Sequence, residues 1–243
     1  MRVMKFPFIL LAMFPCLASG VPEDPASSIE APFGASPATL RQHGYASLFD
    51  GKTLAGWRKA GGTGKFRVED GAIVGYGKNI RGNTFLCTKK NYRDFILTFQ
   101  FQFADRSGNS GCQFRSQQRN GTGRVFGYQC EHDNNDRRSY TAGIYDEARR
   151  GWLFPGKFTT KNSREIASTF SLRGKELFRW KEWNTIVIKC HGRHIQTWLN
   201  GVLRADFEDS DDTHFTPEGF IALQVHGGKS SNVKWRRIFL REL

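Results

Sequence analysis

The chain has 243 residues, 39% apolar, 24% charged and 14% aromatic, with 26 glycines against 8 prolines. That composition excludes wholesale disorder and a collagen-type repeat, and the length suits one domain with extensions. A formal net charge of +13 permits an anionic partner, while 21 Phe beside 6 Trp and 6 Tyr lean the chain towards sheet.

Arg2 and Lys5 precede an apolar run from Phe6 to Ala18, which ends in the small residues Ala18-Ser19-Gly20. The pattern predicts a secretory signal peptide over residues 1–20, hence a secreted or periplasmic protein. The run is too short to span a bilayer and no later segment is longer, so no stable membrane insertion is expected. Nucleic acid is scarce in an exported compartment, so no nucleic-acid partner is expected. The positive charge, about +11 without Arg2 and Lys5, suits solubility, surface adhesion or a polyanionic glycan. Residues 21–44, rich in Pro, Ala and Ser, read as a linker or an ordered N-terminal arm, and 45–243 as the folded domain.

From there strand signals alternate with turns. FRVEDGAIVGYG reads as a hairpin about Asp70-Gly71. DFILTFQFQFAD places Leu97, Phe99, Phe101 and Phe103 on one face and Thr98, Gln100 and Gln102 on the other. GCQFRS, GYQCEHD, WNTIVIKCHG, HIQTWLNG, GFIALQVHG and VKWRRIFLREL follow, with further turns at Asn200-Gly201 and across 191–194. No long 3.6-residue stripe stands out. The expectation is an all-β sandwich of two antiparallel sheets, with short helical turns at most. Residues 133–183 carry few clean strands and form a long loop insertion; within 137–181, 11 Lys or Arg face 4 Asp or Glu. Cys87, Cys112, Cys130 and Cys190 lack CxxC spacing and read as one buried bridge or as buried thiols.

Strand parity then sorts the polar side chains. With Cys112, Phe114, Ile221, Leu223 and Val225 facing the core, one sheet face collects Gln100, Gln102, Arg115, Gln129, Glu131, Asp133, Gln224 and His226. Amides, two carboxylates, a cation and an imidazole suit the hydroxyls of a carbohydrate substrate, with Tyr145, Trp152 or Trp198 stacking on its C–H face. His132 falls on the core side. His226, at a strand end before two glycines, is the better acid or base.

In order along the chain, SLFDGKTLAGW, FRVEDGAIVG, GNSGCQFRS, GYQCEHD, TAGIYDEARRGWL, EWNTIVIKCHGRHIQTWLNGV and GFIALQVHGG resemble the 3-keto-disaccharide hydrolase family over nearly the whole domain. The resemblance implies a concanavalin A-like jelly roll that binds sugars on one sheet and acts on glycosides oxidised to a ketone at C3. Such a ketone acidifies the hydrogen on C2, so a base can form an enolate that expels the C1 aglycone, and water then adds to the enone. Glu131, Asp133 and His226 are the expected catalytic groups. Arg115, Gln129, Tyr145, Arg149, Arg150, Trp152 and Gln224 are the expected substrate contacts. A divalent metal ion held by Glu131, Asp133 and His226 would also suit an enolate. Two other readings stay open: a laminarinase-like glycoside hydrolase built on Glu131, Asp133 and Asp136, and a carbohydrate-binding module without turnover.

Overall fold

A computed structural model describes residues 33–106 and 108–243. The leader expected at 1–20, and the expected arm up to residue 32, lie outside the described residues. In chain order the elements are α1 (Pro37–Gln42), β1 (Ala46–Ser47), β2 (Trp57–Gly61), β3 (Lys65–Glu69), β4 (Ala72–Ile80), β5 (Thr84–Tyr92), β6 (Phe95–Phe103) and β7 (Ser110–Gln118). There follow β8 (Val125–His132), β9 (Ile144–Glu147), β10 (Gly151–Phe154), α2 (Lys161–Leu177), β11 (Asn184–His191), β12 (His194–Leu199), β13 (Val202–Glu208), β14 (Gly219–Val225) and β15 (Gly228–Glu242).

The strands form two antiparallel sheets. One runs β13-β12-β11-β6-β15-β4-β3, with β1 added on β15; the other runs β10-β9-β8-β7-β14-β5-β2. Strict alternation in β6 sends Leu97, Phe99, Phe101 and Phe103 into the space between the sheets. There they meet Cys112, Phe114, Tyr128, Cys130, Ile221 and Leu223 from the facing sheet. Each such side chain contributes about 1.5–3 kcal/mol when withdrawn from water. The four cysteines are buried and unbridged, and burial pushes the Cys87 thiol up to about 12. His132 joins this core, stacked on Phe101 at 4.1 Å, and burial drives its imidazole down to about 4, so it stays neutral.

The described end of the 21–44 segment follows the arm alternative: Ser36 caps α1, and Leu40 packs with Tyr45, Ile96, Val187, Trp198 and Phe239 on the outer face of the first sheet. One sequence expectation changes: the insertion is more regular than a loop, since it holds β9, β10 and the 17-residue α2. That helix buries Ala167, Phe170, Ser171 and Gly174, the i, i+3, i+4, i+7 set of one helical face. Three of the four are small, so the face carries almost no hydrophobic signal in the sequence. Its start is a Thr160–Ser163 capping box, with Ser where Glu or Gln usually stands.

Candidate active site

The outer face of the second sheet carries a polar cleft of about 190 Å³, lined by Asn109, Gln129, Glu131, Arg138, Tyr145, Glu147, Trp152 and His226. Its geometry follows from register. Gln129 lies opposite Tyr145, and Gly127 opposite Glu147, so alternation on β8 and β9 brings Gln129, Glu131, Tyr145 and Glu147 to one face. Gly111 stands opposite Glu131 on β7. A Cβ there would come within 2.5 Å of Gln129 Cδ, so only glycine lets the Gln129 side chain lie across the strand.

Glu131 forms the floor, only 3% exposed. Asn109 Nδ2 donates to its Oε1 (2.7 Å) and Gln129 Nε2 to its Oε2 (2.9 Å). Behind them, Gln113 Nε2 and Gln224 Nε2 both donate to Gln129 Oε1, at 3.0 and 2.9 Å, and Ser116 Oγ donates to Gln113 Oε1. The carboxyl therefore receives neutral amide donors and has no ion-pair partner among the described residues. Burial pushes it up to about 7, against the opposing pull of the Asn109 and Gln129 bonds.

His226 lies half-buried on the cleft wall. Its Nδ1 is 2.6 Å from the Gly227 carbonyl oxygen. Because a carbonyl only accepts, Nδ1 carries the hydrogen and Nε2 is the nitrogen left to exchange a proton. Glu147 accepts from Asn83 Nδ2 (3.1 Å); burial raises its carboxyl, while that bond and the Arg124 and His226 charges work the other way. Tyr145 and Trp152 meet edge to face at 5.3 Å, and Tyr140 meets Trp152 edge to face at 5.2 Å.

The cleft thus unites Gln129, Glu131, Tyr145, Trp152 and His226 from the sequence-derived set. Gln224 stays fully buried beneath it as a support for Gln129. The remaining candidates go elsewhere. Arg115 was expected on this face, but a bulge between Phe114 and Gln117, with Arg115 at φ +44°, breaks the alternation. Its guanidinium is fully buried against Asp94 (2.6 Å) and the Arg93 and Gly192 carbonyls. Arg149 and Arg150 lie on the opposite side of β9, where both pair with Asp146 and Arg150 also pairs with Asp209. Asp133 accepts from Arg138 Nε (3.1 Å) and the Tyr140 and Asn135 amides, so it folds the turn after β8 rather than lining the cleft. Gln100 and Gln102 belong to the other sheet, bonded to Thr185 and Lys181. Asp136 is exposed in the same turn as Asp133.

Glu131, Asp133 and His226 consequently do not converge as a ligand set. Among the described residues no group of three or more His, Cys, Asp or Glu side chains is placed to hold a metal ion. Asn109, Arg138 and Glu147 are the cleft residues that parity reasoning missed. For Glu147 the signal was present, since it stands two positions after Tyr145 on one strand. A larger depression of about 670 Å³ crosses β3, β4 and β15 of the other sheet, lined by Lys65, Arg67, Tyr76 and Lys78 among others. It contains no buried acid–base pair, so the smaller cleft is the better candidate despite its size.

A two-sheet jelly roll with a buried carboxyl, an imidazole and aromatic rings on one sheet face is a glycosyl-hydrolase-like, carbohydrate-active domain. The chain belongs to the 3-keto-alpha-glucoside-1,2-lyase-like domain family, which matches residues 44–241. No functionally curated protein matches it by sequence. Among solved structures it is similar to a presumed glycosyl hydrolase from Parabacteroides distasonis ATCC 8503, at 22% identity and a TM-score of 0.60, over 86% of this chain and 98% of that one. A prokaryotic beta-1,3-1,4-glucanase (lichenase) derived from a mouse hindgut metagenome aligns at 11% identity and a TM-score of 0.52, over 82% of this chain and 100% of that one. A Bacillus subtilis protein with a galectin-like fold aligns at 11% identity and a TM-score of 0.53, over 85% and 92%. Likenesses at these identities concern the fold.

Proposed function

We propose that the protein is exported and cleaves the glycosidic bond of sugars carrying a ketone at C3, by elimination followed by hydration. The observation that carries this reading is Glu131, a buried carboxyl at about 7 held only by amide donors. Near neutral pH such a group is a base strong enough for a ketone-activated C–H, with about half of the molecules carrying it ionised. Glu131 takes the C2 proton, and the C–H electron pair becomes the C2=C3 bond of an enolate. Arg138, the cation lining the cleft, offsets the charge on the enolate oxygen. When C3=O re-forms, C1=C2 forms and the C1–O bond breaks. The departing oxygen takes a proton from Nε2 of protonated His226. Water then adds to C1, returning a proton to His226, while C2 recovers its proton from Glu131. Both side chains end as they began.

The family assignment supports the oxidised-sugar substrate, and the leader-like run from Arg2 to Gly20 supports export. Conventional hydrolysis built on Glu131 and Asp133 is disfavoured because the Asp133 carboxylate is turned to Arg138 and does not line the cleft. The test is purified protein with 3-keto-trehalose and methyl 3-keto-glucoside beside their unoxidised parents, in heavy water. Cleavage of the oxidised sugars alone, with deuterium appearing at C2, is expected. Cleavage of the parents would establish ordinary hydrolysis, and glycan binding without any cleavage would establish a binding module.

A further inference from the structure

The polar cleft does not end at Glu147. The same side chain borders a second chamber of about 510 Å³, lined by Gly61, Gly62, Gly82, Asn83, Phe85, Thr122, Gly123, Arg124, Val125 and Glu147. Asn83 ties the two together: its Nδ2 donates to Glu147 Oε1 (3.1 Å), and its Oδ1 accepts from the Gly227 amide (2.9 Å), next to His226. The two chambers are therefore neighbours that share Glu147 as a common wall, one reaching from Trp152 and Tyr145 to Glu131 and His226, the other from Asn83 to Phe85 and Arg124.

The walls of the two chambers differ in kind. Gly61 and Gly62 lie so close to the chain at 81–83 that a Cβ on either would fall within 2.5 Å of a backbone oxygen. The two stretches of chain pack backbone to backbone as a result, and with Gly82 and Gly123 they give the chamber four lining residues that carry no side chain. Phe85 and Val125 form an apolar floor, while Asn83, Thr122, Arg124 and Glu147 supply a rim of hydrogen-bonding groups. A hydroxyl-bearing ring fits that mixture better than an alkyl chain does.

We infer that the glycine-walled chamber receives the leaving group, as a second sugar unit, and that the 119–124 turn sets which leaving groups are accepted. The inference rests on the elimination reading, which seats the oxidised ring over Glu131 beside Trp152. The C1–O bond then lies beside His226, which protonates the departing oxygen, and the rest of the leaving group passes Glu147 into the second chamber.

Thr122 is exposed on the turn, so Thr122→Trp narrows the chamber without disturbing the core. The experiment compares 3-keto-trehalose, which fills both chambers, with methyl 3-keto-glucoside, which fills one, on wild type, T122W and W152A. For T122W, KM for the disaccharide should rise by about tenfold or more, the size of effect seen when a group is refused its pocket. Turnover of the methyl glycoside should be unchanged. W152A should weaken both substrates together. An equal effect of T122W on both, no effect on either, or a disaccharide-selective loss in W152A overturns the assignment while leaving the elimination reading intact. If wild type cleaves neither oxidised sugar, the elimination reading itself falls, and this assignment with it.

Discussion

Strand β9 separates two buried polar clusters that handle charge in opposite ways. On its inner side Asp146, fully buried, pairs with Arg149 at 2.7 Å and Arg150 at 2.5 Å. Arg150 continues to Asp209 and Asp211, and Tyr128 donates to Asp209 as well. On the outer side Glu131 is equally buried yet meets only amides. Pairing holds Asp209 below the usual carboxylate range despite burial, whereas desolvation dominates at Glu131 and lifts it to about 7. The paired cluster fastens the β9–β10 turn to the 209–214 loop. The unpaired carboxyl costs stability and keeps its reactivity.

The largest contrast is therefore between Glu131→Gln and Arg150→Ala. Glu131→Gln should reduce turnover of 3-keto-glycosides by about 10²–10⁴-fold, the usual weight of a positioned base, without loss of folding. Arg150→Ala takes the cation from buried Asp209, leaves Asp146 with Arg149 alone, and should lower unfolding free energy by about 3–5 kcal/mol, read by denaturant titration. Below its midpoint the folded R150A protein should turn over substrate at nearly the wild-type rate. A large turnover defect in folded R150A would erase the distinction between the two clusters.

A pH series sharpens the same contrast. Because Glu131 acts ionised, kcat/KM should climb through about pH 7. Stability should move the other way. A carboxyl raised from 4.5 to about 7 keeps its proton in the folded state after the unfolded chain has released it. Its contribution to folding is thus greatest below about pH 4.5 and is lost as pH rises through 7. Wild type should lose ground to Glu131→Gln over that window, and parallel midpoints for the two proteins would show that Glu131 is ordinary. Asn109→Ala should then displace the activity limb to higher pH by a few tenths of a unit, since its bond favours the ionised form.

Much of this was readable from the amino-acid order, and the failures have identifiable causes. Alternation in DFILTFQFQFAD, GYQCEHD and GFIALQVHG placed the core, put His132 inward and brought Gln129, Glu131 and Gln224 to one face. Parity stops at a bulge, so Arg115 was misplaced by one positive φ. It is also silent on which sheet a strand joins, so Gln100 and Gln102 were assigned to a face they do not share. Arg149 and Arg150, expected as substrate contacts in the basic 137–181 stretch, instead find carboxylates at 146, 209 and 211, up to 61 positions away along the chain. Helix α2 escaped because its buried stripe is built of Ala, Ser and Gly around one Phe. Asn109 and Arg138 sit in connections, where no period exists to read.

The smallest expected effect belongs to Gln224, and it tests how far the amide network reaches. Gln224 Nε2 gives one of two bonds to Gln129 Oε1, the other coming from Gln113, while its own Oε1 is buried and finds no partner among the described residues. Gln224→Leu removes a bond, but it also removes an acceptor whose desolvation nothing compensates, and Leu keeps much of the volume. The two terms oppose, so the change in unfolding free energy should stay within about 1 kcal/mol. With Gln113 still in place, Gln129 should remain aimed at Glu131 and the pH limb should not move. Gln129→Leu, by contrast, removes a donor from the carboxyl itself and should shift that limb upward as Asn109→Ala does. If Gln224→Leu shifts it equally, Glu131 is tuned by the whole amide chain and not by its two direct donors alone.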